Sequence, residues 1–272
     1  MSDRPVSAAA CCAAWDGELI PLLLGESYHP GGEALSRALS DRLEIQAGMR
    51  VMDLACGSGA TARLMAQGWG AGVLGIDSSP RALRHARRLD EEAMLVRADA
   101  RALPVRAGSF DRVICECALS VFPDKARVLA EVHRVLRPGG SVGISDVIVD
   151  SLRLHPDLRS AVSWFACIAG ATSIAGYERL LHGAGFEVTS VEHVPGALAR
   201  MIDEIDARIA VLASMDLPML ADLDPVRTRE MLALGRQAVA EGTAGYAVIV
   251  ASRAVDSQRA HTEKESPAAV LR

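Results

Sequence analysis

Hydrophobic residues along this chain recur with two different spacings, and each spacing predicts its own kind of secondary structure. Short apolar runs bounded by glycine or charged residues predict strands, whereas apolar stripes with helical spacing predict the helices between them. The predicted strands cover residues 50–54, 73–76, 93–97, 110–115, 141–147, 186–193 and 245–253. The predicted helices cover residues 33–43, 60–67, 80–88, 125–136, 158–168 and 173–184, and a mostly helical block covers 198–241. These repeated units predict an α/β fold with a doubly wound, mostly parallel sheet of seven strands.

The same pattern divides the chain into three parts. Residues 1–47 form a lead-in or lid segment, residues 48–254 form the α/β domain, and residues 255–272 form a polar tail that we expect to be disordered. A helical insertion at about 197–242 precedes the last strand of the domain. This insertion is either a cap over the ligand edge of the sheet or additional helical packing.

Composition narrows the class of partner. The 272 residues are 50% hydrophobic and 23% charged, with a net charge of −5. This profile gives no electrostatic reason to expect nucleic acid or an anionic membrane, so we expect small-molecule partners. The apolar stretches near the N-terminus are too short to span a bilayer and do not resemble an export signal, which favours the cytoplasm. In that compartment the six cysteines are expected to remain reduced.

A glycine-containing loop follows the first predicted strand, in the run from Asp53 to Gly59. Glycines allow a tight turn and close approach to a ligand, and the following helix offers free N–H groups. A turn without any ligand gives the same pattern, and Asp53 and Asp99 can also be ordinary turn residues. The combination with Asp77, which ends the next strand where a carboxylate can accept ribose hydroxyls, favours an adenosine cofactor. The candidate cofactor-binding residues are Asp53, Ala55, Cys56, Gly57, Gly59, Asp77, Ser78, Asp99 and Ala100.

The order of these motifs resembles the class I S-adenosylmethionine-dependent methyltransferases. The run 53–59 matches the first motif of that family, Asp77 its ribose-binding acid and Asp99 its adenine-side acid. The run 136–140 matches the turn before the fifth strand. The resemblance covers about residues 48–149 and implies a Rossmann-like sheet, S-adenosylmethionine as the cofactor and methyl transfer as the activity. No resident metal ion is expected.

Two further segments resemble the arsenite methyltransferases. One starts at Cys117 and continues through an apolar stretch into Pro-Asp-Lys, and the other starts at Cys167 in the sequence Cys-Ile-Ala-Gly-Ala. In that family the cysteine corresponding to Cys167 binds trivalent arsenic as a thiolate. The family's cysteine after the glycine loop falls near Ala62 here, and its last cysteine has no counterpart after Cys167. We hypothesise that Cys11 and Cys12 replace the missing thiols if the N-terminus folds over the site.

Other residues are candidates for the acceptor side. Glu116 ends the fourth strand between two cysteines and is a polar candidate for the catalytic group, together with Cys117 and Cys167. Tyr28 and His29 lie in a turn before the lead-in helix, and Trp164 precedes Cys167 by almost one helical turn. These three are candidate substrate-binding residues, although each is also an ordinary turn or core residue type. Cys56 and Cys115 are more typical of core packing.

Three functions remain open from the sequence. The favoured one is methyl transfer to a small soft acceptor, with thiolate-bound trivalent arsenic as the example and a small thiol as reductant. The alternative is methylation of a small organic molecule at carbon, oxygen or sulfur, which the missing thiols support. The third is a protein that binds the cofactor or a metalloid without turnover. The sequence leaves the oligomeric state undetermined.

Overall fold

The computed structural model describes residues 19–25, 27–159, 166–215 and 224–255. Strands in these ranges are β1 (Arg50–Leu54), β2 (Gly72–Asp77), β3 (Met94–Arg97), β4 (Phe110–Glu116), β5 (Leu136–Val149), β6 (Phe186–His193) and β7 (Ala244–Arg253). They pair in one sheet in the order β3-β2-β1-β4-β5-β7-β6. All pairs from β3 to β5 are parallel, and β7 runs antiparallel to β5 and β6. The predicted doubly wound, mostly parallel sheet is confirmed.

Helices connect and flank the strands. They are α1 (Leu19–Leu24), α2 (Gly32–Arg42), α3 (Ala60–Trp69), α4 (Pro80–Leu89), α5 (Lys125–Val135), α6 (Pro156–Arg159), α7 (Ala166–Gly170), α8 (Ile174–Gly183), α9 (Ala197–Ala213) and α10 (Pro225–Ala240). Local capping explains several starts: Ser79 accepts the Ala82 N–H ahead of α4, and Asp124 accepts the Arg127 N–H ahead of α5. Pro80 occupies the first turn of α4, where its missing N–H costs nothing.

Apolar side chains cover both faces of the sheet, which explains why the central strands are nearly continuous hydrophobic runs. One cluster joins α2, α3, α9 and α10 to the face that carries Ile114, Val147 and Tyr246. The other joins α5 and α8 to the face that carries Val113 and Ile144. Because α9 and α10 contribute buried residues to the first cluster, part of the predicted insertion packs into the core; its action as a lid stays a prediction.

Two predicted elements differ from the structure. The fifth strand starts at Leu136 rather than Ser141, because Leu136 already pairs with Phe110 before the chain bulges and Ser141 pairs with Arg112. The helix predicted over 158–168 is found at its two ends as α6 and α7, and its middle lies outside the described residues. Residues 256–272 also lie outside them. In the part of the chain that the structure describes, no helix combines the length and apolar character needed to cross a membrane.

The strand order reverses between β1 and β4, the two central strands of the parallel part. Such a reversal opens a crevice outside the carboxyl ends of the strands, because the loops leaving the two strands turn to opposite faces. The loop after β1 starts at Ala55, and the loop after β4 starts at Cys117. Both therefore face the same crevice.

Candidate active site

A cleft of about 450 Å³ lies at this crevice. Four strand ends and the turn before α2 contribute its walls. It is lined by Tyr28, Leu54, Ala55, Gly57, Ile76, Asp77, Ser78, Ser79, Ala82, Arg97, Ala98, Asp99, Ala100, Arg101, Glu116, Cys117, Ala118, Val121, Phe122 and Pro123. Of the predicted cofactor-binding residues, the cleft brings together Ala55, Gly57, Asp77, Ser78, Asp99 and Ala100.

The loop from β1 to α3 has three residues in the left-handed region. Gly57 and Gly59 have φ of 52° and 75°, and Ala55, which is not glycine, has φ of 62°. A Cβ on Gly57 would lie 3.1 Å from Cδ2 of Tyr28, whose ring packs over the loop. A Cβ on Gly59 would lie 3.2 Å from the Cβ of Ala86 on α4. Gly57 therefore shapes the cleft wall, whereas Gly59, which does not line the cleft, allows two helices to approach.

Asp77 ends β2 with its carboxylate fixed against the backbone. Oδ2 accepts the Gly57 N–H at 2.9 Å, and Oδ1 accepts the Ser79 N–H at 2.8 Å. These two hydrogen bonds tie the first and second strand ends together and hold the carboxylate on the cleft wall. A fixed carboxylate in this place can accept hydrogen bonds from the hydroxyl groups of a ribose.

Asp99 also lines the cleft, but its carboxylate is half-exposed and engaged by Arg101. Arg101 donates from Nε and Nη2 to it, at distances of 2.6 to 3.1 Å, and hydrogen bonds from Arg101 lower the pKa of Asp99. Ser78 and Ala100 line the same part of the cleft. Contact of Asp99 with an adenine amino group stays a prediction.

Two predicted cofactor residues lie beneath the cleft rather than on its surface. Asp53 is buried, and its Oδ2 has no hydrogen-bond partner. Burial, and then the nearby carboxylates of Glu116 and Asp77, raise the pKa of Asp53 well above its usual range. Cys56 packs against β2, where a Cβ on Gly75 would lie 2.9 Å from its Sγ. This contact fits the interpretation of Cys56 as a core-packing residue rather than a cofactor-binding one.

Cys117 and Cys167, which begin the two segments that resemble the arsenite methyltransferases, are in contact. The Cys117 and Cys167 thiols share a hydrogen bond, and this bond, followed by burial, raises the pKa of Cys117. Cys117 lines the cleft, and Cys167 lies behind it on α7. A φ of 50° turns the Cys117 side chain away from the face that buries Cys115. Cys115 therefore packs in the opposite core.

Glu116 lies in a cluster of buried hydroxyl groups. Thr61 donates to its Oε2 at 2.7 Å, and Ser36 lies within 3.0 and 3.2 Å of its two oxygens. His29 Nε2 lies 3.5 Å from Oε2 and 3.2 Å from the Ser36 hydroxyl. The Glu116 side chain is only 5% exposed, yet it lines the cleft. His29 does not line the cleft and contacts it through Glu116.

Several predicted residues cannot be placed, and several placed residues were not predicted. Cys11, Cys12 and Trp164 lie outside the described residues. Within the described ranges, no group of three or more His, Cys, Asp or Glu side chains could hold a metal ion. Sequence reasoning missed Ser36, Thr61, Ser145 and Tyr246, which surround Glu116 and Cys117. The sequence did offer one signal for these contacts, because Ser36 lies on the apolar stripe of α2. A hydroxyl buried on such a stripe needs a hydrogen-bond partner.

Asp146 supports the loop that carries Cys117. Its buried carboxyl accepts the Ser120 N–H at 2.8 Å and the Val147 N–H at 2.7 Å. Burial raises its pKa from 3.8 to about 6. This carboxyl therefore anchors the cleft loop to the end of β5.

The raised pKa of Asp146 predicts a pH-dependent stability. Between about pH 4 and pH 6 the native protein keeps a proton that the unfolded chain releases, so the contribution to the free energy of unfolding falls as pH rises, by about 3 kcal/mol in total. Denaturant unfolding at several pH values measures this change. The Asp146→Asn variant should lose this part of the slope, and Asp150→Asn, at the same end of β5, should keep it. Equal slopes in wild type and Asp146→Asn would contradict the prediction.

The fold and cleft together define an α/β protein whose cleft at the strand-order reversal has the features of an adenosine-binding site. Residues 52–144 match the family described as methyltransferase domain. The chain is 31% identical over 198 residues to 27-O-demethylrifamycin SV methyltransferase of Amycolatopsis mediterranei, covering 65% of this chain and 72% of that protein. It is 34% identical over 203 residues to an arsenite methyltransferase of Aquipseudomonas alcaligenes, covering 68% of this chain and 57% of that protein.

A solved structure shares the fold. The cyclopropane synthase MmaA2 from Mycobacterium tuberculosis superposes with a TM-score of 0.74 at 17% identity, over 93% of this chain and 100% of that one. The chain spans 39% to 62% of the length of four curated relatives that it matches. This chain belongs to the class I S-adenosylmethionine-dependent methyltransferases.

The cleft residues fit the cofactor of this family, S-adenosylmethionine. Gly57 has no side chain, so its backbone lies at the cleft wall, and the Tyr28 ring packs on it 3.1 Å from where a Cβ would lie. Asp77 has its carboxylate fixed on the cleft wall beside Gly57 by two backbone N–H groups. Both features suit an adenosine ligand held by backbone approach and by a ribose-binding acid.

Proposed function

We propose that this protein transfers a methyl group from S-adenosylmethionine to a small soft acceptor, with thiolate-bound trivalent arsenic as the favoured example. The observation that carries the proposal is the hydrogen bond between two thiols, that of Cys117, which lines the cleft, and that of Cys167, which packs against Cys117 from outside the lining. Trivalent arsenic is soft and binds polarisable sulfur donors. Its lone pair attacks a methyl carbon without prior loss of a proton, so no general base is needed to make the nucleophile.

The residues of the chain divide the task between two ends of the cleft. When bound, S-adenosylmethionine supplies an electrophilic methyl group on a sulfonium. Asp77, Gly57 and Tyr28 hold and cover the cofactor end. Cys117 and Cys167 bind and orient the acceptor, and burial excludes water from them. The third sulfur donor comes from a small thiol in solution or from Cys11 or Cys12.

The relatives give mixed support. Two arsenite methyltransferases match at 34% and 35% identity, over 68% and 53% of this chain. The two missing family cysteines argue for the other candidate, methylation of a small organic molecule. Glu116 favours this second function, because its cleft-lining carboxylate lies 3.5 Å from His29 and can accept a proton from an acidic hydroxyl, thiol or carbon.

The test is incubation of the whole protein with methyl-labelled S-adenosylmethionine, arsenite and a reduced thiol such as glutathione. We expect labelled methylated arsenic species, separated by chromatography. Intact cofactor binding without methylated arsenic would overturn the arsenic proposal. Parallel reactions with small phenols, thiols and carbon acids test the second function. Cofactor binding without turnover of any acceptor would instead support a binding protein.

A further inference from the structure

A row of buried polar groups connects Cys117 to Glu116 behind the cleft. The Tyr246 hydroxyl forms hydrogen bonds with the Cys117 sulfur and, at 3.1 Å, with Ser145 Oγ. Ser145 Oγ lies 3.5 Å from Oε1 of Glu116. The row therefore runs from thiol to phenol to hydroxyl to carboxylate, with each member in contact with the next.

The antiparallel pairing of β5 and β7 builds the middle of this row. Ser145 pairs with Val248, and Val147 pairs with Tyr246, so Ser145 and Tyr246 are diagonal neighbours on one face. Both are 2% exposed or less. Phenylalanine would fill the same space in this apolar strand without burying a hydroxyl, whose burial is costly unless it is hydrogen-bonded. The hydroxyl of Tyr246 therefore has a use beyond packing.

The row has two consistent hydrogen-bond patterns, because each hydroxyl has one proton to donate. In the first, the Cys117 thiol has turned from Cys167 and donates to Tyr246, Tyr246 donates to Ser145, and Ser145 donates to the Glu116 carboxylate. In the second every bond is reversed, Glu116 carries the proton, and Tyr246 donates to a Cys117 thiolate. The patterns differ by the net movement of one proton from Cys117 to Glu116.

We propose that Tyr246 and Ser145 form a proton relay that carries the thiol proton of Cys117 to Glu116 when Cys117 bonds to a soft electrophile. Only the identity of that electrophile rests on the proposed function. The relay answers a need of the site, because Cys117 is buried away from water, and the hydrogen bond with Cys167, followed by burial, raises the pKa of its thiol. Glu116 suits the receiving end, because its carboxylate lines the cleft.

The step balances for arsenous acid. The Cys117 sulfur forms a bond to arsenic while one arsenic–oxygen bond breaks. The thiol proton passes through Tyr246 and Ser145 to Glu116, and Glu116 gives a proton to the leaving hydroxide, which departs as water. Arsenic stays trivalent, so the step needs no oxidant or reductant.

The test uses iodoacetamide, a small neutral electrophile that requires no arsenic. A sulfur–carbon bond forms, the carbon–iodine bond breaks, iodide leaves, and the thiol proton passes through Glu116 to solvent. The rate of Cys117 modification is measured by peptide mass spectrometry in H₂O and in D₂O. We expect Tyr246→Phe to slow it roughly 10- to 100-fold and to abolish the solvent isotope effect, with Ser145→Ala changing both in the same direction.

Tyr177→Phe is the matched control. Tyr177 is also fully buried, but its hydroxyl donates to the Val147 carbonyl at 3.1 Å and belongs to the opposite core. We expect this variant to react within about twofold of wild type. Wild-type rates and isotope effects in both Tyr246→Phe and Ser145→Ala would overturn the relay, as would an equal slowing in Tyr177→Phe. Slowed modification in the relay variants, together with no arsenite methylation by wild type, would support the relay and refute the arsenic proposal.

Discussion

Replacement of Cys167 by alanine is expected to abolish methylation of arsenite while leaving the affinity for S-adenosylmethionine within about twofold of wild type. The thiol of Cys167 contacts Cys117, but Cys167 is not among the residues that line the cleft with Asp77 and Gly57. Removing it leaves one described protein sulfur at the acceptor end, and a single thiolate holds arsenic too loosely for in-line attack. Labelled methyl transfer and calorimetric titration with the cofactor measure the two effects.

Cys115→Ala provides the matched control for this experiment. This variant also removes a thiol from a buried cysteine. Cys115 lies two residues before Cys117, and the Cys115 side chain packs on the opposite face of the sheet. The variant should therefore keep arsenite methylation. A Cys167→Ser variant separates arsenic coordination from hydrogen bonding. The serine hydroxyl can still form a hydrogen bond with Cys117, but its oxygen is a hard ligand that binds soft arsenic poorly. Arsenite turnover near the wild-type rate in Cys167→Ser would refute thiolate coordination by this residue. Unchanged turnover of an organic acceptor would favour the second function.

The strands of the sheet could be predicted because each is encoded by a short run of neighbouring residues. β1 and β6 have their predicted bounds, since each is an apolar run bracketed by polar residues or glycine. The early start of β5 could not be predicted, because it depends on Leu136 finding a partner in Phe110 across the sheet. A turn within residues 137–140 suggested a break in the chain, and the structure accommodates it as a bulge between paired residues.

The cofactor end of the site was also readable, since its residues follow consecutive strands. Asp77 and Gly57 are 20 residues apart, and the fold of parallel strand ends brings them into a 2.9 Å hydrogen bond. The roles of these residues in binding S-adenosylmethionine remain predictions. Asp53 shows the limit of the motif, because the sequence cannot tell a cleft-lining acid from a buried one.

The acceptor end was much less readable. Ser36 and Thr61 reach Glu116 across 80 and 55 residues, and no local periodicity encodes such contacts. The direction of the Cys117 side chain depends on a left-handed φ of 50°, which a non-glycine residue adopts at an energetic cost. Alternation along β4 would place Cys117 beside Cys115, and the backbone turn places it against Cys167 instead. Strain of this kind is typical of functional sites, where other contacts compensate for it.

The second large effect is expected at the cofactor end, where Asp77→Ala should weaken binding of S-adenosylmethionine by about 100-fold or more. Hydrogen bonds to a charged group contribute about 1.5 to 3 kcal/mol each, and we expect the carboxylate, which two backbone N–H groups fix in place, to accept one from each of two ribose hydroxyls. Asp90→Ala is the matched control, because Asp90 accepts the N–H of the residue two positions later in the same way but lies off the cleft. Titration calorimetry with S-adenosylhomocysteine measures both variants, and thermal unfolding without ligand checks their folding.

Asp77→Asn removes the charge but keeps nearly the same shape. We expect its affinity for the cofactor to lie between those of Asp77→Ala and wild type. A folded Asp77→Ala protein that binds within threefold of wild type would show that the carboxylate does not hold the ribose, and the cofactor would then depend on the glycine loop and Tyr28.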